Sequence, residues 1–357
     1  MKILVIQQKM IGDVLISSIL CNNLRKAYPN AKIDYLVNEN TVPILNGNPD
    51  IDNIIIFGKD ADKSFFGLVK FALKLRKEKY DIVIDAYSKL QSWTITLLSG
   101  AKRKISYKKP GRTFIYTDNV PMAEFPDTNL GLAIERRLSL LEPLKLPIEK
   151  NVIPELYLSE AEKREASELF SKHQVDESRK TIMISLLGSE EIKTYPLNYM
   201  GDLVNFIGEN YNVNILFNYF PKQLKEAKKV YEQCSKKTQD KIYFDLFGND
   251  LRSFIAIMDR CDLIFGNDGG AINIAKSLRK PSFIVFSPWI EKKIWSTFED
   301  GKSHTSTHLK DFLPELFEEK SYHDLRKISL EYYEKFQPDF FKNNLKDFLD
   351  NHIQKIV

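Results

Sequence analysis

Cysteine and histidine are scarce in this sequence, and neither forms a recognisable metal-binding pattern. Three cysteines, Cys21, Cys234 and Cys261, are scattered over 357 residues that contain only five histidines. No CxxC pair or histidine at ligand spacing accompanies them, which argues against a cysteine-based metal site and a disulfide framework. We therefore predict a reducing, cytoplasmic compartment.

Long hydrophobic runs and a large net charge are also lacking. No window approaches the roughly 18 to 20 apolar residues of a membrane span, so any membrane contact is expected to be peripheral. The first run, "ILVIQ", ends after about five residues without a cleavage site, which indicates a strand rather than a signal peptide. A net charge of +4 argues against a dedicated nucleic-acid binder.

Short apolar runs that alternate with amphipathic segments are what the sequence does contain. Runs of this kind indicate parallel sheets covered by helices on both faces. They are "KILVIQ", "KIDYLV", "NIIIF", "DIVIDA", "TIMISLL", "VNILFN", "IYFDLF", "DLIFGN" and "SFIVFS". We predict an α/β protein with Rossmann-like domains at 1–160 and 175–320, joined by a linker within 149–177. Helices at 321–357 form a C-terminal tail that can pack back on the first domain.

The segment "QKMIGDVLISS", from Gln8 to Ser18, places a carboxylate where the first strand gives way to a helix. Ligands of open parallel sheets collect at such strand ends. Gly12 permits close backbone approach. Asp13 has two interpretations, a cap for a helix that begins near Val14 or a chemically active carboxylate. No GxGxxG is present, so a nicotinamide or flavin site lacks support.

Two further loops follow strands in the second half. In "CDLIFGNDGGAINIAKSLRKPSFIVF", the loop Gly266–Gly270 offers backbone amides to a diphosphate, and Asp268 suits sugar hydroxyls. A glycine-rich turn with an Asx cap is the alternative. In "SLLGSEEIKTYP", Lys193 could neutralise a leaving phosphate, or it could simply be solvated.

Together these segments resemble the ADP-heptose:lipopolysaccharide heptosyltransferases, glycosyltransferase family 9. The similarity runs from "ILVIQQKMIGDVLISSILCNNLRKAYPNAKIDYLVNENTVPILNGNPDID" through "GSEEIKTYP" to "DLIFGNDGGAINIAKSLRKP". The resemblance implies a GT-B fold whose two parallel sheets face a central cleft, with the acceptor on the N-terminal domain and the nucleotide sugar on the C-terminal one. It also implies an inverting, metal-independent glycosyltransferase without a cofactor.

The resemblance assigns roles to individual residues. Asp13 matches the catalytic base and Lys193 the phosphate-neutralising lysine. The expected donor-binding residues are Ser189, Lys193, Asn267, Asp268, Gly269, Gly270, Ala271 and Asn273. Gly269 replaces the family's usual threonine and Asn273 its usual histidine, which leaves the donor sugar open. Either Gln223 or Glu226 is expected to reach the ribose.

A basic segment, "GAKRKISYKKPGR", is expected to attract an anionic acceptor. With Gly12, the predicted acceptor residues are Lys102, Arg103, Lys104 and Arg112. The alternative is a solvated loop. The partners would be a nucleotide-sugar donor, a lipid-linked oligosaccharide and the anionic inner membrane of a Gram-negative bacterium, whose cytoplasmic face the protein would touch peripherally.

Three rival functions are weighed against heptosyl transfer. Gly269 and Asn273 favour a transferase of the same fold that uses another nucleotide sugar in surface polysaccharide assembly. A nucleotide-sugar 2-epimerase would need additional acidic and histidine groups, and all five histidines lie outside the matched loops. An inactive scaffold is disfavoured because Asp13, Lys193 and Asp268 are all present.

Overall fold

The first sheet forms from the apolar runs of the N-terminal half, whose central residues are buried. The computed structural model describes residues 1–356, and its first compact unit is Met1–Tyr157. Six parallel strands lie in the order β3-β2-β1-β4-β5-β6. Their bounds are β1 (Lys2–Ile6), β2 (Lys32–Asn38), β3 (Asn53–Phe57), β4 (Ile82–Asp85), β5 (Arg103–Tyr107) and β6 (Asp118–Val120). The strand order reverses between β1 and β4, and such a switch point is where open parallel sheets bind ligands.

The α-helices of the first unit lie between its strands, except the last, which follows β6. They are α1 (Ile11–Ser17), α2 (Ile19–Ala27), α3 (Lys59–Lys63), α4 (Phe65–Arg76), α5 (Leu90–Leu98) and α6 (Leu132–Ser139). The helix expected to begin near Val14 begins at Ile11 and is divided at Ser18 into α1 and α2. The short helix α3 likewise ends just before α4 begins, with Ser64 between them.

The second unit, which begins at Leu158, has its own parallel sheet. Its strand order is β11-β10-β9-β7-β8. The bounds are β7 (Lys180–Ser185), β8 (Val213–Asn218), β9 (Leu263–Asn267), β10 (Ser282–Val285) and β11 (His304–Thr307). Here the order reverses between β7 and β9, so the loops after these two strands flank the second switch point.

Ten α-helices of the described chain belong to the second unit. They are α7 (Glu160–Lys172), α8 (Leu197–Asn210), α9 (Leu224–Gln233), α10 (Lys236–Gln239), α11 (Leu251–Arg260), α12 (Gly270–Ser277), α13 (Lys292–Trp295), α14 (Tyr322–Lys327), α15 (Ser329–Lys335) and α16 (Lys342–His352). Helix α7 lies in the segment predicted as a linker, and its Glu162 pairs with Arg252 of α11 at 2.6 Å. None of the helices in residues 1–356 combines the length and hydrophobicity needed to cross a bilayer.

The C-terminal helices pack on the second unit. Phe336 and Phe341 lie with ring centroids 5.8 and 5.9 Å from that of Tyr195, and all three side chains are buried. Phe348 on α16 contacts Phe283 of β10 at 5.7 Å. This aromatic cluster makes 321–356 part of the second unit, whereas the sequence allowed packing on the first domain.

Several strands differ from the sequence prediction. Strands β5, β6 and β11 were not predicted because they are short and rich in polar residues, and β6 and β11 are edge strands. The predicted strand "IYFDLF" is wrong, since it pairs with β8 only at Ile242. Phe244 in this segment instead packs its ring 5.1 Å from that of Tyr231 and 6.1 Å from that of Phe217.

Candidate active site

Asp13 lies in the first turn of α1, directly after the carboxyl end of β1. The helix begins at Ile11, and Met10 at its N-cap makes no side-chain cap hydrogen bond. The Asp13 carboxylate accepts a hydrogen bond from Arg137 on α6, with Oδ1 2.6 Å from Nη2. The interpretation of Asp13 as the cap of a helix beginning near Val14 is therefore wrong. Its charge remains favourably placed in the first turn, at the positive end of the helix dipole.

Arg137 is a buried cation that was not predicted from the sequence. Its side chain is only 11% exposed, and its guanidinium also donates to Ser17 Oγ and the Ala133 backbone oxygen, both at 3.2 Å. Burial opposes the charge, but neighbouring Tyr107 and Asp13 outweigh burial and raise the pKa of Arg137. The sequence does contain a signal for this role, because Arg137 occupies a position in α6 at which the helical spacing predicts an apolar side chain. This fixed cation holds the Asp13 carboxylate in one orientation.

The predicted basic acceptor cluster is divided between opposite edges of the first sheet. Lys102 precedes β5, while Arg103 and Lys104 begin it. These three residues therefore lie at the amino end of β5, whereas Asp13 follows the carboxyl end of a strand running in the same direction. Arg103 is moreover paired with Asp118 at 2.9 Å. The fold contradicts the grouping of these three residues with Asp13.

Gly12 and Arg112 lie at the same edge as Asp13. Gly12 is buried in the first turn of α1. The Arg112 guanidinium stacks on Trp93 of α5, 3.5 Å from the ring centroid. Lys109 lies in the same loop, where burial and nearby basic residues lower its pKa. A smaller basic group therefore remains at the carboxyl edge.

Asp85, at the end of β4, is a fully buried carboxylate on the other strand of the first switch point. It accepts hydrogen bonds from the Ser88 N–H and the Tyr116 hydroxyl, both at 2.7 Å. Burial raises its pKa to about 6, although these hydrogen bonds act in the opposite direction. This titratable group was not predicted from the sequence.

The loop after β7 presents Lys193 and is anchored through one backbone oxygen. Ile192 O accepts hydrogen bonds from Trp289 Nε1 at 3.2 Å and from the hydroxyls of Ser287 and Ser329 at 2.6 and 3.1 Å. The Lys193 ammonium nitrogen lies 5.2 Å from the Trp289 ring centroid, within cation–π range. Trp289, a buried residue missed by the sequence analysis, therefore orients this loop.

Asn267 joins the two strands of the second switch point. Its Nδ2 donates to Ser185 O and Leu186 O at 3.0 and 2.9 Å, and its Oδ1 accepts from the Tyr195 N–H at 2.7 Å. The side chain is completely buried, so a direct side-chain contact with the donor is not supported. Gly266 is needed beside it, since φ is +133° and a Cβ atom would lie 2.4 Å from Ser185 O.

The "GNDGG" loop leads directly into the N-terminus of α12, where Asp268, Gly269, Gly270 and Ala271 are partly exposed. Gly269 is the N-cap residue, in extended backbone at φ 166°, and a Cβ atom there would meet nothing within 4 Å. Asn273 Nδ2 donates to Gly269 O at 3.3 Å. The first-turn amides and the positive helix end suit a phosphate.

Lys276 adds a buried cation to α12 that was not predicted. Its Nζ donates to Thr297 O at 2.5 Å. Burial lowers the pKa of Lys276 to about 8, while the carboxylates of Glu299, Asp268 and Asp300 act in the opposite direction. The ammonium thus adds positive charge to the helix that follows the "GNDGG" loop.

The structure separates the two candidates for ribose recognition. Gln223 Nε2 donates to Gly188 O at 3.0 Å, and its Oε1 accepts from the Phe220 N–H at 3.0 Å. Its amide is therefore occupied in holding the loop that carries Ser189, which is itself exposed. Glu226, in the first turn of α9, is half-exposed and makes no hydrogen bond or ion pair within residues 1–356. Its carboxylate is available to accept from hydroxyl groups.

The two switch points offer different chemistry. The first holds a carboxylate oriented by a guanidinium, an arrangement suited to accepting a proton. The second combines an ammonium group with helix N-terminal amides, an arrangement suited to an anion. In the described part of the chain, no group of three or more His, Cys, Asp or Glu side chains is arranged to hold a metal ion.

Known proteins share both the sequence pattern and the fold. The model of glycosyltransferase family 9 (heptosyltransferase) matches residues 68–310, a range that includes Lys193 and the "GNDGG" loop but begins after Asp13. Lipopolysaccharide heptosyltransferase 1 of Campylobacter coli is 26% identical over 338 residues, which cover 90% of this chain and 96% of that protein.

Two solved structures show the same fold at lower sequence identity. A glycosyl transferase family 9 protein from Veillonella parvula has a TM-score of 0.72 at 19% identity and covers 94% of this chain and 97% of its own. E. coli heptosyltransferase WaaC with ADP-2-deoxy-2-fluoro heptose has a TM-score of 0.62 at 16% identity, with coverage of 96% and 100%. The predicted α/β fold with two parallel sheets and a helical C-terminal region is confirmed. The family model matches more than half of the length of this chain. The chain therefore belongs to glycosyltransferase family 9 and is a glycosyltransferase.

Proposed function

We propose that this enzyme transfers a heptosyl residue from ADP-heptose to a lipopolysaccharide or lipooligosaccharide core acceptor. The observation that carries the proposal is the Campylobacter coli relative, a lipopolysaccharide heptosyltransferase that matches nearly the whole chain. The E. coli neighbour bound to a fluorinated ADP-heptose is consistent with ADP as the donor nucleotide.

In the proposed reaction Asp13 takes the proton of the acceptor hydroxyl while that oxygen forms a bond to the anomeric carbon of the heptose. The bond from this carbon to the diphosphate breaks, and ADP leaves with the electron pair. Lys193 and the N-terminal amides of α12 stabilise the charge that develops on ADP, so the scheme requires no metal. A single displacement of this kind inverts the anomeric configuration.

Arg137 holds Asp13 in position for this step, and its contact at 2.6 Å supports that role. Glu226 accepts the ribose hydroxyls, since Gln223 is occupied elsewhere. The remaining donor contacts come from Ser189, Asp268, Gly269, Gly270, Ala271 and Asn273. Gly12 and Arg112 contribute to the acceptor site. The enzyme works peripherally at the cytoplasmic face of the inner membrane, where a lipid-linked acceptor is presented.

Substitution of Asp13 by asparagine tests the proposed base. Asparagine keeps the size of the side chain but cannot take the proton, so kcat should fall roughly 100- to 10,000-fold. Calorimetric affinity for ADP should be unchanged, because Asp13 is not assigned to the donor. Asp60→Asn, which removes an exposed carboxylate from α3, is the matched control. Wild-type turnover by Asp13→Asn would relocate the base.

A transferase that uses another nucleotide sugar is the second candidate. It is favoured by Gly269 and Asn273, which remove a hydroxyl and an imidazole from the expected diphosphate region. Calorimetry with ADP, UDP, GDP and CMP separates the candidates. Selective binding of ADP supports heptosyl transfer, whereas preference for UDP or GDP would replace the sugar and leave the roles of Asp13 and Lys193 intact.

A further inference from the structure

Several large apolar side chains of the first unit are more than half exposed, and four of them lie at one edge of its sheet. Phe65 is 70% exposed, Phe66 80%, Leu90 59% and Phe114 76%. Single exposed apolar residues are common, but a group of them on one side of a unit marks an interaction surface. Together with Lys59, Lys63, Lys89 and Lys108, these residues are termed the aromatic edge.

Topology brings these side chains to the carboxyl edge of the first sheet. Phe65 and Phe66 begin α4, Leu90 begins α5, and Phe114 lies in the loop between β5 and β6. The opposite end of α4 confirms its direction, since Arg76 lies beside Gly100, just before the amino end of β5. Asp13 follows β1 at the same carboxyl edge.

Side-chain contacts join the three segments laterally. Gln91 Nε2 in α5 donates to Asp62 Oδ1 in α3, three residues before Phe65, at 3.5 Å. Arg112, two residues before Phe114, stacks on Trp93 of α5. The three segments that carry the aromatic edge are therefore neighbours in the first unit.

The local fold keeps the phenylalanine rings outside. Ser64 caps α4 by accepting from the Gly67 N–H at 3.0 Å, so Phe65 and Phe66 occupy the first two helical positions. Leu68, Ala72 and Leu75 form the buried face of the helix. That spacing places Phe66 opposite the buried face. Phe65, at the first helical position, is 70% exposed although it follows the spacing of the buried residues.

Basic side chains surround these rings. Lys59, Lys63, Lys89 and Lys108 are exposed, and none of them forms an ion pair with a carboxylate within residues 1–356. The exposed acids in α3 at this edge are Asp60 and Asp62, and Asp62 is engaged by Gln91. The aromatic edge therefore combines apolar rings with a net positive charge, since four lysines outnumber the two carboxylates of α3.

We propose that the aromatic edge docks on an anionic lipid bilayer, with the rings inserted among the acyl chains and the lysines at the lipid phosphates. The inference rests on the proposed function, since a lipid-linked acceptor would reach Asp13 from the bilayer. Rings flanked by lysines suit a bilayer interface, where apolar burial and attraction to anionic lipid act together. A second copy of the chain fits this surface less well, because two aromatic edges of the same positive charge would repel each other.

Vesicle co-sedimentation at low and high salt tests the docking. The full chain is mixed with phosphatidylcholine vesicles that contain or lack phosphatidylglycerol. Phe65→Ser/Phe66→Ser should lower the partition coefficient at least about tenfold, and Lys63→Gln/Lys89→Gln roughly 30-fold. Lys74→Gln/Lys77→Gln, at the other end of α4, and Leu330→Ser, in the second unit, are matched controls and should change it less than about twofold.

Transfer of heptose to a deacylated, soluble acceptor is measured on the same variants. Unchanged turnover with lost vesicle binding supports the proposal. If the wild type turns over but ignores anionic vesicles, or if light scattering shows that the phenylalanines mediate dimerisation instead, docking is overturned and the proposed function stands. Vesicle binding without any heptosyl transfer would reject the proposed function alone.

Discussion

Replacement of Arg137 by methionine should loosen the first unit and impair catalysis together. Methionine fills much of the same volume but leaves the Asp13 carboxylate, only 21% exposed, without its cation. Breaking a fully buried ion pair costs about 3–5 kcal/mol, and partial exposure of Asp13 reduces this to about 2–4 kcal/mol. Urea unfolding followed by circular dichroism measures the loss.

Two further variants separate charge from packing. In Asp13→Asn/Arg137→Met the stranded carboxylate is absent, so about 1–2 kcal/mol of the loss should be recovered relative to Arg137→Met. Arg137→Lys retains a cation but not all three hydrogen bonds of the guanidinium, and should be intermediate in stability and kcat. Loss below about 0.5 kcal/mol with full activity in Arg137→Met would refute the view that Arg137 positions Asp13.

Three other predictions concern single positions. Trp289→Leu removes the indole beneath Lys193 and a hydrogen bond to the loop, so the donor KM should rise about tenfold in steady-state kinetics. The melting temperature should fall as well, because a buried aromatic side chain is truncated. Gly269→Thr should fold normally because the backbone is extended and the space is open, and calorimetry should show tighter ADP binding through the added hydroxyl. Burial raises the pKa of Asp85 to about 6, so the folded state binds this proton more tightly than the unfolded state does. The free energy of unfolding should therefore fall by up to about 3 kcal/mol as the pH rises from about 4 to about 6. Asp85→Asn should flatten that dependence in denaturant titrations at pH 4.5 and 7.5.

The main features of the fold could be predicted because buried parallel strands have a strong local signal. Eight of the nine apolar runs form strands, and the loops with Asp13, Lys193 and Asp268 follow such strands. Switch points could not be located, because strand order depends on contacts between distant segments. In the structure, the loops with Asp13, Lys193 and Asp268 lie at the two points where the strand order reverses.

Because β5 was not predicted from the sequence, the predicted acceptor site grouped residues that the structure separates. "RKISY" is short and begins with two basic residues, so it lacked the apolar signal of a strand. The sequence pattern therefore groups Lys104 and Arg112 in one basic loop, although β5 carries the chain from one edge of the sheet to the other. Basic charge alone does not tell at which end of a strand it lies.

Positioning residues were missed because their roles depend on long-range contacts. Arg137 is 124 residues from Asp13 in the chain, and Trp289 contacts Lys193 from a different loop. The choice between Gln223 and Glu226 likewise required the hydrogen bond from Gln223 to Gly188. Residue type suggested each candidate, and only the contacts distinguish a ligand-binding group from one that holds the protein together.

Heptosyl transfer itself is the most direct test of the account. The purified enzyme is incubated with ADP-heptose and a deacylated lipopolysaccharide core acceptor, and mass spectrometry and ADP release are followed in parallel. We predict an acceptor one heptosyl residue heavier, one ADP per transfer, and loss of both signals in Asp13→Asn. Absence of product with ADP-heptose, together with transfer from a UDP or GDP sugar, would contradict the proposed donor.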